Sequence, residues 1–183
     1  LLNLLYDVLC IILPWDNVDE EETVSPRDWS GRTLGRFMLS FGPISSLFDI
    51  VTFLFLYYFL CPMLCGGATY LNLTDPALRL QYVSLFQTGW FLESMWTQVL
   101  ILHFLRTRRI PFVQSRASVP VICITLAGIV AFTAITFTKG ASLFGLTKLP
   151  LWYLVFLLIV ALLYMLLTTV VKTFYQKKYH ELI

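Results

Sequence analysis

Residues 149–171 read LPLWYLVFLLIVALLYMLLTTVV, a run without a single charged side chain. About 20 apolar residues in a helix are enough to cross the hydrocarbon core of a bilayer. This stretch therefore predicts a transmembrane helix. The composition of the whole chain agrees, because 58% of its 183 residues are hydrophobic, only 13% are charged and the mean hydropathy is +0.76. These values indicate an all-α protein that crosses a membrane several times.

Three more apolar segments approach or exceed this length, at 37–64, 80–105 and 119–138. A fifth, at 1–13, is shorter and ends at Pro14. We expect it to be part of a transmembrane helix that begins upstream, in a chain that is the C-terminal piece of a larger protein. The prediction is a polytopic transmembrane helical bundle with one partial N-terminal helix and four full transmembrane helices. Its parts are the truncated helix 1–14, a cytoplasmic loop 15–36, the four-helix domain 37–171 and a basic tail 172–183.

The basic residues predict the orientation of this bundle. Ten of the thirteen Lys and Arg residues fall in the loops 15–36 and 106–117 and in the tail, and three fall on the opposite side. Because basic loops stay in the cytoplasm, we expect a multi-pass protein of a plasma membrane or bacterial inner membrane, with a cytoplasmic C-terminus. The basic residues follow the membrane edges, so the expected partner is the lipid bilayer and no nucleic acid.

Two polar residues interrupt the first apolar segment. Asn3 and Asp7 are four residues apart, so on a helix their side chains share one face. An ionisable group at membrane depth is costly and marks an ion pathway or a buried pair. The amide and carboxylate oxygens suit a hard cation such as magnesium or calcium, although two ligands cannot complete a magnesium shell of six. The alternative is a hydrogen-bonded pair that holds helices together.

Two further acidic residues lie inside predicted transmembrane segments. Asp49 shares a helix face with Ser45 and Ser46, and we favour a structural hydrogen-bonding role for it over transport. Glu93 lies near the middle of the third segment. An auxiliary ion ligand, a proton-exchanging group and a partner for a buried polar group all remain open for it.

The sequence contains none of the usual enzymatic motifs. It has no glycine-rich phosphate loop, no nucleophile beside a base and no metal-hydrolase cluster. The sequence therefore offers no catalytic machinery of its own.

Four stretches, in order, resemble the C-terminal membrane region of P-type cation-transporting ATPases, closest to the magnesium-transporting branch. They are NLLYD at 3–7, LPWD at 13–16, GRFM to GPISSLFDI over 35–50, and FQTGWF at 86–91 followed by RTRRIPF at 106–112. The resemblance implies helices six to ten of a ten-helix membrane domain. In the family, the Asn and Asp of the sixth helix contribute side-chain oxygens to the transported ion, which implies that role for Asn3 and Asp7.

The resemblance also implies Mg²⁺ as the transported ion, ATP as the substrate of domains absent from this chain, and the N-terminal part of the same pump as a partner. Because those domains drive the transport, the resemblance implies no ATPase activity for this chain alone. Calcium pumps have Thr one residue before the Asp, where this chain has Tyr6, which argues against a two-calcium site. Calcium or another cation remains an alternative. Others are a support bundle that binds no ion by itself and an unrelated secondary transporter.

Overall fold

The computed structural model describes residues 2–17, 19, 31–107, 109, 111 and 114–179, so most of the loop predicted at 15–36 and the last residues of the tail lie outside it. The described residues form helices and contain no strand. The helices are α1 (Leu2–Ile11), α2 (Gly31–Leu64), α3 (Pro76–Leu105), α4 (Val119–Ile135) and α5 (Tyr153–Tyr179). The prediction of an all-α fold is confirmed.

Two of these helices, α2 and α5, are both long and apolar enough to cross a membrane. With 34 and 27 residues they extend about 51 and 40 Å at 1.5 Å per residue. Helix α3 has 30 residues and carries polar side chains such as Gln87 and Glu93, and α4 has 17. The count of four full spans therefore stays a prediction.

The helices begin and end at other residues than the apolar pattern indicates. Helix α3 starts at Pro76 and not near residue 80, because Asp75 caps it by accepting a hydrogen bond from the Ala77 amide at 3.0 Å. Helix α5 continues through Lys172 to Tyr179, into the predicted tail. Polar residues can extend a helix beyond the apolar segment wherever a neighbouring element accepts their side chains.

Helices α2 and α5 pack along an aromatic seam. Phe37, Phe41, Ile44 and Phe48 recur at helical spacing on α2 and are buried. They meet Tyr164 and Tyr175 of α5, with ring centroids 5.4 Å apart for Phe48 and Tyr164. The opposite face of α2 exposes large apolar side chains, as expected of a surface in contact with lipid.

A π-helical turn at Leu56–Leu60 interrupts α2 where it meets α3. Such a turn disturbs the backbone ladder and frees carbonyl groups for other donors. The Tyr82 hydroxyl of α3 donates to the Tyr57 carbonyl at 2.5 Å. Two turns further along α3 the two helices are in close contact, because a Cβ atom on Gly89 would lie 2.5 Å from a methyl group of Leu56.

Helix α1 lies against α3 and α4. Its Leu9 is buried in the main core, while Tyr6 and Cys10 pack against a smaller cluster that contains Leu102 and Val121. A 3₁₀ turn at Leu13–Trp15 continues from α1, and the Asp16 amide closes it by donating to the Leu13 carbonyl at 2.9 Å. This short, hydrogen-bonded link ties α1 to the polar residues that follow it.

Candidate functional site

Asn3 and Asp7 both lie on the exposed side of α1. The packed side of the helix is formed by Leu9 and by the partly buried Tyr6 and Cys10. The Tyr6 side chain thus packs toward α3 and α4, whereas Asp7 beside it is exposed. The fold places an amide and a carboxylate at i and i+4 on a face that no described element covers.

Asn3 borders an open cleft of about 450 Å³ between α1 and α3. Its other lining residues include Gln87 and Trp90 of α3, both of which are exposed. Polar side chains from two helices therefore face the same opening. We call Asn3, Asp7, Gln87 and Trp90 the open side of the bundle.

The two acidic residues predicted at membrane depth are neighbours across α2 and α3. The Glu93 carboxyl is 1% exposed and lies beside the carboxyl of Asp49. Its Oε2 atom accepts no hydrogen bond from the described residues. Asp49 is half-buried and accepts a hydrogen bond from the Trp90 indole at 2.9 Å. Trp90 thus connects the open side to this acidic pair.

Three hydroxyl groups lie on the same helices as the acidic pair or on α5 beside it. The Ser45 and Tyr164 hydroxyls form a hydrogen bond of 3.2 Å between α2 and α5. The Thr52 hydroxyl, one turn beyond Asp49 on α2, is fully buried and has no hydrogen-bond partner among the described residues. Buried polar atoms are nearly always paired in proteins, so the Thr52 hydroxyl can still form a hydrogen bond with a further partner.

No group of three or more His, Cys, Asp or Glu side chains that would suit a metal ion occurs within the described residues. The structure brings Asp49 and Glu93 together but does not add Asp7 to them. Asn3 and Asp7 supply two oxygen ligands at most, and a magnesium ion takes six, water included. The described residues can thus form one part of an ion site.

A second set of polar side chains lies where α1, α3 and α4 end or begin. The Arg106 guanidinium pairs with the Asp16 carboxylate at 2.8 Å, and their side chains are only 5% and 8% exposed. Asp16 also accepts a hydrogen bond from the Ser118 amide at 2.7 Å, and Arg106 donates to the Ser115 hydroxyl at 3.2 Å. Asp19 accepts from the hydroxyls of Ser115, at 2.8 Å, and of Thr107. We call Asp16, Asp19, Arg106, Thr107 and Ser115 the Arg106 cluster.

The charge of Asp19 is stabilised within this cluster. Desolvation acts to raise its pKa, but the hydrogen bonds from Thr107 and Ser115, with the positive charges of Arg109 and Arg106, outweigh it and hold the pKa below its ordinary value. Asp19 is therefore ionised at neutral pH.

Sequence reasoning missed the Arg106 cluster. It also missed that Lys172 is buried and donates to three backbone carbonyls near the end of α3. Asp16 and Arg106 were predicted as ordinary loop charges, and Lys172 as the first residue of the tail. The signal that existed was weak: two acidic residues follow α1 closely, and an Arg-rich loop is predicted on the same side of the membrane. Only the packing of the helices pairs residues that lie 90 positions apart.

The described residues form a helical bundle in which two helices are long and apolar enough to cross a membrane. The family model for the C-terminus of cation transporting ATPases matches residues 1–174. The chain belongs to this family, and the resemblance found in the sequence is confirmed.

The chain is also similar to curated magnesium pumps. It is 42% identical over 177 residues to the magnesium-transporting ATPase, P-type 1, of Salmonella typhimurium (strain 14028s / SGSC 2262) and 41% identical to that of Escherichia coli (strain K12). A further Salmonella typhimurium protein (strain LT2) with the same name is 38% identical over 179 residues. These alignments cover 97–98% of the chain but only 18% of each relative.

Proposed function

We propose that the chain forms the C-terminal transmembrane part of an ATP-driven magnesium pump and supplies part of its ion site. In this proposal Asn3 and Asp7 provide two side-chain oxygens to Mg²⁺, and the bundle holds them in place. The phosphorylation and nucleotide-binding domains, which use ATP, belong to the rest of the pump. The C-terminus lies in the cytoplasm, since the basic residues are concentrated at that end.

The observation that carries the proposal is the exposure of Asn3 and Asp7 on one face of α1 while the other face is packed. A carboxylate that faces lipid is costly and avoids the bilayer core. Asp7 therefore needs a polar partner that the described residues do not supply. A hydrated divalent cation, together with ligands from other helices of the pump, meets this need.

Glu93 and Asp49 are the auxiliary residues in this proposal. Two adjacent carboxylates at low dielectric repel each other, and a cation between them relieves that repulsion. The free Oε2 of Glu93 offers one oxygen atom to such a cation. The hydrogen bond between Asp49 and the Trp90 indole connects the pair to a residue of the open side.

The decisive test replaces Asp7 with Asn in the full-length pump, which removes the charge and keeps the shape. We expect magnesium uptake to fall by at least about 100-fold, since one charged ligand of the ion is lost. Val8→Ala is the matched control, because Val8 is an exposed apolar neighbour on the same helix, and it should retain uptake. Normal magnesium uptake by Asp7→Asn, at normal expression, would refute the proposal.

The second candidate is a support bundle that binds no ion. Two observations favour this candidate. The acidic pair is separate from Asp7, and no three-ligand group occurs among the described residues. It predicts equal magnesium affinity for the full-length pump and for Asp7→Asn in isothermal titration. Repeating the uptake assay with calcium separates a magnesium pump from one for another divalent cation.

A further inference from the structure

Lys172 is one of the most deeply buried charged residues of the chain, with 3% of its surface exposed. Its ammonium group donates to three backbone carbonyls: Phe104 at 2.9 Å, Thr107 at 2.6 Å and Arg109 at 2.8 Å. A lysine has three N–H donors, and all three are used. No carboxylate takes part in these bonds, so this lysine binds the backbone at the end of a neighbouring helix.

The position of these carbonyls explains why a cation is held there. Helix α3 ends at Leu105, and the last four carbonyls of a helix lack partners within it. The C-terminal end also carries a partial negative charge that favours a cation. The Lys172 ammonium of α5 thus caps the C-terminal end of α3. It also fixes the first residues of the loop that follows α3.

Thr107 links this contact to α1. Its carbonyl accepts from Lys172, while its hydroxyl donates to Asp19 and accepts from the Arg109 amide at 3.0 Å. Arg106, the residue before it, pairs with Asp16 at 2.8 Å. Asp16 and Asp19 are therefore bound by two consecutive residues, Arg106 and Thr107, and Lys172 helps to fix the backbone there.

A short path joins these carboxylates to the candidate ion ligands. The 3₁₀ turn at Leu13–Trp15 continues directly from α1, and the Asp16 amide bonds back to it. Residues of one α-helix keep a fixed rise of about 1.5 Å along its axis, and Asn3 and Asp7 both lie in α1. Fixing Asp16 thus fixes the axial position of Asn3 and Asp7.

We infer that Lys172 is a positioning residue for magnesium binding. By holding the end of α3 it fixes the position of the Arg106 cluster. Through Asp16 and Asp19 this cluster then fixes the depth of α1 in the membrane. This inference rests on the proposed function of Asn3 and Asp7. A ligand shifted by about 1 Å loses much of its effect on a bound substrate, so a residue distant from the ion is expected to change its affinity.

The test uses Lys172→Met in the full-length pump, with Lys172→Arg as the conservative variant and Lys178→Met as the control. Lys178 lies on the same helix but is exposed and contacts the Tyr179 ring. We expect Lys172→Met to raise the magnesium concentration for half-maximal ATPase activity at least about 10-fold, with kcat changed less than about 3-fold. Lys172→Arg should recover part of the affinity, and Lys178→Met should behave as the parent.

Amide hydrogen exchange of the same variants tests the path without any reference to magnesium. We expect Lys172→Met to speed exchange both at residues 103–118, the segment that contains its three carbonyl partners, and at residues 9–17, which contain none of them. Faster exchange confined to residues 103–118, or a half-saturating magnesium concentration equal to that of the parent, would overturn the inference. The Asp7→Asn variant assayed in parallel separates the two ideas: normal transport in that variant refutes the proposed function, whereas the exchange at residues 9–17 reports on Lys172 alone.

Discussion

Asp7 and Asp16 lie on either side of the end of α1, and their surroundings differ completely. Asp16 is nearly buried, paired with Arg106 at 2.8 Å and hydrogen-bonded to the Ser118 amide. Asp7 is exposed and lies on a face that no described element covers. Within one short stretch, the fold satisfies one carboxylate fully and leaves the other open.

The difference distinguishes two kinds of carboxylate in this protein, one paired within the structure and one left exposed. A buried carboxylate with matched partners joins elements of the structure, since its charge is neutralised where it lies. A carboxylate that the bundle leaves open within a membrane protein must be matched by something else. In the proposed function the Arg106 cluster has a structural role and the open side a binding role, and each role is testable by substitution.

The largest effect on stability is expected for Arg106→Met. It leaves Asp16 buried without its counter-charge, and removing one partner of a buried pair costs about 3–5 kcal/mol. Denaturant unfolding of the purified full-length pump in detergent measures this change. Asp7→Asn is the matched variant on the open side and should unfold within about 0.5 kcal/mol of the parent. Equal losses in the two variants would erase the distinction between the regions.

Next in size is Gly89→Ala, which tests the packed face of α3. The new Cβ would lie 2.5 Å from a methyl group of Leu56, a fully buried residue, and 3.3 Å from the Tyr153 hydroxyl. Overpacking of this kind costs about 1–3 kcal/mol. Thermal unfolding should show the loss, while Gln87→Ala, two residues away on the open side, should not. An unchanged melting temperature for Gly89→Ala would mean that α2 and α3 separate easily.

The sequence was sufficient to predict an all-α membrane protein and the shared face of Asn3 and Asp7. Both follow from local periodicity and from the cost of polar groups in a bilayer. The π-helical turn at Leu56–Leu60 could not be predicted, because it depends on what approaches α2 from α3. The contacts of Lys172 could not be predicted either. Its partners are backbone carbonyls, which every residue type provides.

A smaller effect is expected for Tyr82→Phe, which removes the hydroxyl that donates to the Tyr57 carbonyl in the π-helical turn. The ring stays in place, so the variant loses one hydrogen bond and leaves a carbonyl without that donor. This loss is worth about 1 kcal/mol. Tyr58→Phe is the control, because Tyr58 is an exposed tyrosine of the same turn. A loss of similar size in the control would show that the hydrogen bond from the Tyr82 hydroxyl does not account for the change in stability.

The smallest effect concerns Asp19 and appears only in acid. Its pKa is held below the ordinary value in the folded protein, so its contribution to stability is present above the unfolded pKa of about 3.9 and is lost as the pH falls through the folded value. Asp19→Asn lacks this contribution at every pH. Its unfolding free energy should therefore lie below that of the parent at pH 7, and the gap should narrow below about pH 4. Asp75→Asn, at the exposed start of α3, serves as the carboxylate control. A gap that stays constant from pH 7 to pH 3 would mean that the hydrogen bonds of Asp19, and not its charge, hold the end of α1 in the Arg106 cluster.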